Sequence, residues 1–269
     1  MPTLPADRYH EEIIESTAAL VALLDQAGPE LAVPACPGWD LRKLAAHVGR
    51  VHRWAAETVA TRATSEVEFR SVPDGRIPDD PAARGPWLTS GAELAIDVIS
   101  AAGDAPVWAF GVIRPASFWS RRMAHETMVH RADAQLAAGQ QVVMAPSLAA
   151  DAIDEWLTVM SGAGDDGADP RAEALPAGRS IRFVAADPDL PVADWLVTHG
   201  ADGVRVQSGP SPSPSPSPSP STDPASAVVR GPAADLLLVL LGRQAPEATG
   251  VRVDGDAEVF AHWLSQTSF

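Results

Sequence analysis

Two residues one helical turn apart carry most of the chemistry that can be read from this chain. Glu126 and His130 lie in the run Arg121-Arg122-Met123-Ala124-His125-Glu126-Thr127-Met128-Val129-His130-Arg131-Ala132-Asp133. At 3.6 residues per turn, a four-residue separation rotates them by only about 40°. A carboxylate and an imidazole stacked in this way can share a metal ion. A plain surface pair has the same spacing and contributes a few tenths of a kcal/mol, so the pair alone decides nothing. His125 and His130 stand about 140° apart around a regular helix and cannot hold one ion together. His125 is therefore expected to point elsewhere.

A third ligand has to come from another helix. Of the seven histidines, His47 is the best candidate, because it lies mid-helix among Ala45, Ala46 and Gly49, small residues that permit close helix approach. Arg50 shares its face. Arg122 lies one turn before Glu126, where it can recognise a substrate anion or pair with Glu126 itself. Asp133, one turn after His130, can orient an imidazole N–H or be a solvated helix residue. Cys36 reads as a packing residue and Trp39 as core. Trp54, Trp108 and Trp119 either line a pocket or simply pack.

The elements that must position these groups follow from hydrophobic periodicity. Helical spacing is expected over Asp7 to Gln26, from an Asp40 N-cap to about Val59, over Trp87 to Ala102, from Pro115 to Gly139, and over Ser147 to Met160. The Pro- and Gly-bearing segment 65–86 reads as a long loop suited to a lid or rim. Gly103 to Arg114 reads as irregular and apolar. Beyond a Gly- and Asp-rich linker, Ser161 to Gly178, the pattern changes. Residues 181–185, 195–197, 204–206, 226–230 and 251–253 alternate like strands, with helices over Ala233 to Leu241 and Ala257 to Leu264. Between them runs a Ser-Pro repeat, read as a disordered, exposed loop over 209–222 that stands in for a hairpin connection. The expected organisation is an all-α domain over 1–162 and an α+β domain over 178–269.

Composition excludes several function classes. The 269 residues carry a formal net charge of −15, and 46% of them are hydrophobic. No basic patch suits nucleic acid or an anionic membrane. The longest apolar run, Leu236 to Leu241, is too short to span a bilayer. The N-terminal stretch has no basic segment followed by an apolar core, so no signal peptide is expected. A single cysteine excludes an intramolecular disulfide and suits a reducing compartment. The expected location is the cytoplasm.

Two longer segments resemble a known family. Pro37-Gly38-Trp39-Asp40 followed by Leu44-Ala45-Ala46-His47 is similar to the first signature of the mycothiol-dependent maleylpyruvate isomerase family, within the DinB-like metalloenzyme superfamily. Arg122-Met123-Ala124-His125-Glu126, with His130, Arg131 and Asp133, resembles the second. Arg230-Gly231-Pro232-Ala233-Ala234-Asp235-Leu236-Leu237, with Gly242-Arg243 and Gly255-Asp256, resembles the family's C-terminal domain. The resemblance implies a DinB-like helical bundle followed by a small domain similar to sterol carrier proteins. It implies a divalent metal, commonly zinc, held by His47, Glu126 and His130 with one position open. It also implies an activated thiol, that of mycothiol, which adds to the electron-poor double bond of a small electrophile and is eliminated after rotation. Relatives that keep the adduct are S-transferases. Arg50, Arg122 and Arg230 are the candidates for substrate recognition at such a site. A metal-dependent hydrolase and a non-catalytic ligand-binding or regulatory module are the alternatives.

Overall fold

The computed structural model describes residues 4–160, 174–188, 193–200, 203–209 and 225–267. The linker read over 161–178 and the Ser-Pro repeat fall largely outside them. Contacts divide the chain into two units, Leu4–Val143 and Met144–Phe269.

The first unit is a four-helix bundle of α1 (Ala6–Ala27), α2 (Leu41–Ala60), α3 (Pro81–Ala102) and α4 (Phe118–Ala137). Helix α2 packs on α3 and α4, and α1 on α3 and α4. Leu20, Leu24, Leu41, Leu44, Val48 and Leu88 fill the core between them. The N-cap read at Asp40 is present, its side chain accepting from the Lys43 N–H at 2.8 Å. Gly49 is required for packing rather than for a turn: a Cβ there would meet the Trp87 ring of α3 at 2.2 Å.

Two expectations for this unit change. Helix α3 begins at Pro81, not Trp87, because Asp80 caps it by accepting from the Ala82 N–H at 3.1 Å and Pro81 suits the first helical position. Pro86 lies inside it, where a missing N–H costs one intrahelical bond. The segment read as irregular, 103–114, contains a β-hairpin, β1 (Pro106–Ala109) and β2 (Val112–Pro115). Its two-residue turn, Phe110-Gly111, has φ of 50° and 88°, the paired positive values that match strand twist. Helix α4 accordingly starts at Phe118, after the hairpin, and not at Pro115.

The second unit begins with α5 (Pro146–Met160), followed by β3 (Ser180–Ala185), β4 (Ala193–Gly200), β5 (Gly203–Gly209), β6 (Ala227–Gly231), α6 (Ala233–Leu240), β7 (Arg252–Gly255) and α7 (Ala257–Thr267). The strands form one sheet in the order β5-β4-β3-β6-β7, with β3 and β6 parallel and the other pairs antiparallel. Strands β5 and β6 are thus separated by β4 and β3. The connection that holds the Ser-Pro repeat is a crossover, not the expected hairpin. Phe183, Trp195 and Trp263 are fully buried here.

Helix α5 packs against α6, and its Asp154 Oδ1 accepts from the Trp195 indole N–H at 3.0 Å. The expected boundary after residue 162 therefore moves to before Met144. Helical periodicity shows that α5 is a helix but not which core its apolar face joins. Among the described residues, no helix is long and apolar enough to cross a membrane.

Candidate metal centre

Helices α2 and α4 bring His47, Glu126 and His130 together inside the first unit. The donor atoms of the three residues all lie within 4.8 Å of one another. His47 Nε2 is 2.8 Å from Glu126 Oε1, and His130 Nε2 is 3.2 Å from the same oxygen. Tetrahedral zinc with nitrogen and oxygen ligands at about 2.0 Å sets its ligand atoms about 3.3 Å apart. Two imidazole nitrogens and one carboxylate oxygen converging at such distances fit a divalent ion.

The carboxylate is divided between two tasks. Oε2 accepts from Arg122 Nη2 one turn earlier on α4, which leaves Oε1 to the imidazoles. Burial works against ionisation of Glu126, but the Arg122 guanidinium and hydrogen bonds with His130 and His47 outweigh it and hold the carboxyl well below its usual range. Glu126 is an anion at neutral pH, as a ligand must be.

Asp133 sets the tautomer of His130. It is fully buried, and its Oδ2 lies 2.9 Å from His130 Nδ1. A carboxylate only accepts, so Nδ1 carries a proton toward Asp133; Nε2 faces the equally acceptor-only Glu126 oxygen and carries one as well, whose place an ion held between Glu126 and His47 would take. Without a cation, burial favours neutral His130, yet hydrogen bonds with Asp133, Cys36 and Glu126 raise its pKa well above the ordinary value.

Three side chains to which the sequence assigns no site role adjoin this cluster. Trp39 contacts both imidazoles, with ring centroids 5.1 Å from His47 and 6.3 Å from His130. It packs against the core as expected and walls the cluster as well. Phe69, from the loop before α3, lies 6.1 Å from the His47 ring. Cys36 packs against the core and faces Asp133. The position of Trp39 and Cys36 just before the α2 N-cap is the one sequence signal for their place; Phe69 has none.

The other candidates are placed as follows. Arg50 donates through Nε to the Gly75 carbonyl at 2.9 Å and lies over the Phe69 ring at 5.5 Å, so it pins the 65–80 loop. His125 is buried against Tyr9 of α1, away from the cluster. Trp54, Trp108 and Trp119 pack on one another, Trp54 and Trp119 at 5.1 Å and Trp54 and Trp108 at 5.9 Å. Arg230 belongs to the second unit, exposed on β6.

Fold and cluster together define a two-unit protein: a helical bundle with a His–Glu–His donor set, joined to an α+β unit. Residues 10–135 match the model of the mycothiol maleylpyruvate isomerase N-terminal domain, and residues 147–262 match that of the MDMPI C-terminal domain. The chain belongs to the mycothiol maleylpyruvate isomerase family. The matched segments divide it between α4 and α5, as the contacts do. It is also similar to the crystal structure of the mycothiol-dependent maleylpyruvate isomerase, with a TM-score of 0.55 and 14% identity over 94% of this chain and 96% of the other. A histidine-to-alanine mutant of that isomerase matches with a TM-score of 0.57 at the same identity and coverage. No curated protein matches the chain.

Proposed function

We propose that this protein is a metal-dependent enzyme that activates a low-molecular-weight thiol, mycothiol, for addition to a small electrophile, as an isomerase. One observation carries the reading: His47 Nε2 and His130 Nε2 meet at one oxygen of an ionised Glu126. A divalent ion held by these three groups, with zinc best matched to the donor set, would supply a Lewis-acidic position at which a thiol loses its proton near neutral pH.

Around that position the chain's own residues have distinct tasks. Arg122 keeps Glu126 ionised and turns Oε1 inward. Asp133 holds the His130 tautomer. Trp39 and Phe69 shield the imidazoles from water on the loop side. Arg50 anchors the loop that carries Phe69. Arg50 and Arg122, within the bundle, are guanidinium groups that can meet a substrate carboxylate, and Arg230, exposed on β6 of the second unit, is the third candidate for that role. The family membership supports mycothiol as the thiol and an electron-poor double bond as the target. It also favours reading the bundle as DinB-like, the second unit as sterol-carrier-like and the compartment as the cytoplasm.

The test is metal content together with turnover of maleylpyruvate, with and without mycothiol. We expect one zinc per chain, lost in His47→Ala and in His130→Ala, and turnover only when thiol is present. Turnover that needs the metal but not the thiol would instead identify a hydrolase. A metal-free protein with no thiol adduct on any electrophile would identify a binding module. A thiol adduct retained as product would identify an S-transferase.

A further inference from the structure

The loop before α2 sets a thiol against the carboxylate that orients His130. Cys36 is the only cysteine of the chain. Its Sγ lies 3.7 Å from Asp133 Oδ2, the oxygen that also accepts from His130 Nδ1 at 2.9 Å. Cys36, Asp133 and a ring nitrogen of His130 form a second cluster whose donor atoms lie within 4.8 Å of one another.

The thiol's position is built, not incidental. The Val33 N–H donates to the Trp39 carbonyl at 2.9 Å, the Cys36 N–H to the Val33 carbonyl at 3.0 Å, and the Trp39 N–H to the Cys36 carbonyl at 2.9 Å. Ala32 and Asp40 are bridged as a short antiparallel pair. The same tight loop thus delivers Cys36 to Asp133, Trp39 to the imidazoles and Asp40 to the α2 cap.

One role for the thiol is excluded by the cluster's own geometry. With Nδ1 protonated toward Asp133, the only lone pair His130 could give an ion is that of Nε2, on the far side of the ring, so Cys36 would not be a fourth ligand to an ion held there. The direction of the contact with Asp133 is equally fixed. The thiol has a hydrogen to give, and an ionised carboxylate can only accept it.

We propose that Cys36 is a positioning residue for the metal centre. Its S–H donates to Asp133 Oδ2 and holds the carboxylate where it takes the His130 Nδ1–H and leaves Nε2 aimed at Glu126 and His47. The proposal rests on the metal-dependent reading above. An S–H is a weak donor, so the effect is smaller than that of removing Asp133 and acts on metal affinity before it acts on chemistry.

The experiment is zinc affinity of the full chain, measured by competition with a chromophoric chelator. Cys36→Ala should bind zinc about five- to tenfold more weakly, at the low end of what loss of an outer partner does. Cys36→Ser, which keeps a donor, should return to within about twofold of wild type. Equal affinity in Cys36→Ala and wild type overturns the proposal. So does a Cys36→Ser variant as weak as Cys36→Ala, since packing would then explain both.

If Cys36→Ala does not fold, the wild-type protein methylthiolated at its single cysteine with methyl methanethiosulfonate replaces it. The same weakening is expected, and unchanged affinity overturns the proposal. His47→Ala separates the two levels of inference. Wild type and His47→Ala both failing to bind zinc refutes the metal reading and this proposal with it. Zinc bound by wild type alone, with Cys36 variants at wild-type affinity, refutes only the role of Cys36.

Discussion

With an ion on Nε2, His130 would keep its one proton on Nδ1, held there by Asp133, a residue that need touch neither metal nor substrate. A neutral imidazole has one donor and one acceptor nitrogen, and a carboxylate beside Nδ1 takes the donor. Asp133→Asn keeps the shape but removes the charge and supplies an amide that can present N–H instead of O. We expect it to weaken zinc binding about tenfold or more, read by the same chelator competition. Unchanged affinity would mean that Nε2 is aimed by packing alone. Arg122 acts in the same indirect way on Glu126. Spacing allows it either to meet a substrate anion or to pair at i,i+4, and the structure sets its guanidinium on Glu126 Oε2.

Helix α2 joins the cluster to the bundle core. One face carries His47 toward α4, and another carries Gly49 and Arg53 toward α3. Arg53 is buried over the Trp87 ring at 4.4 Å and donates to the Gly49 carbonyl at 3.0 Å. Gly49 therefore sits where an added methyl has no room. We expect Gly49→Ala to destabilise the protein by about 1–3 kcal/mol, the usual cost of overpacking, despite alanine's better helix propensity. Urea denaturation measures this. A neutral or stabilising result would show that Trp87 moves aside freely. Because His47 is two residues away, the same variant should lose zinc affinity, which would not follow if α2 were held by its cap alone.

For the molecule as a whole, the most telling buried group is His52. It is fully buried, with Nε2 at 2.8 Å from the Thr127 hydroxyl, and the hydroxyl itself donates to the Met123 carbonyl at 2.6 Å. Burial first, then the neighbouring Arg53 charge, lowers its pKa from 6.5 to about 4. The unfolded chain protonates this imidazole at higher pH than the folded one. Between those values the unfolded state holds more protons, so this group's contribution to stability is full above pH 6.5 and declines as pH falls toward 4. A shift of this size corresponds to about 3 kcal/mol lost by about pH 4. Urea titrations of metal-free protein at about pH 7, 5.5 and 4.5 should show the decline, and His52→Gln should flatten it. An equally steep fall in His52→Gln would assign the dependence to other groups.

Much of this protein is legible in the chain alone. Helices α1, α2, α4 and α5, the strands of the second unit and the Asp40 cap follow from local rules: periodicity, capping oxygens, and Gly and Pro at the ends. So does the exclusion of His125 from the cluster, since helical geometry alone separates it from His130. The elements that read wrongly are those whose local signals compete. Pro86 hides the true start of α3, and a hairpin turn at Phe110-Gly111 looks like irregular chain when its strands are four residues each. The family signatures group His47 with Glu126 and His130, but spacing cannot, because the two helices are separated by 79 residues at their contact.

Only the tertiary structure decided what surrounds the cluster. Phe69 reaches His47 from a loop without periodicity. Cys36 and Asp133 meet across 97 residues. Helix α5 joins the second unit rather than the bundle. The physical reason is common to all three: a local pattern reports which face of an element is apolar or which end is capped, whereas the partner that covers that face is chosen by packing between segments distant in the chain. The sequence singled out the candidate donors, and tertiary packing determined their neighbours.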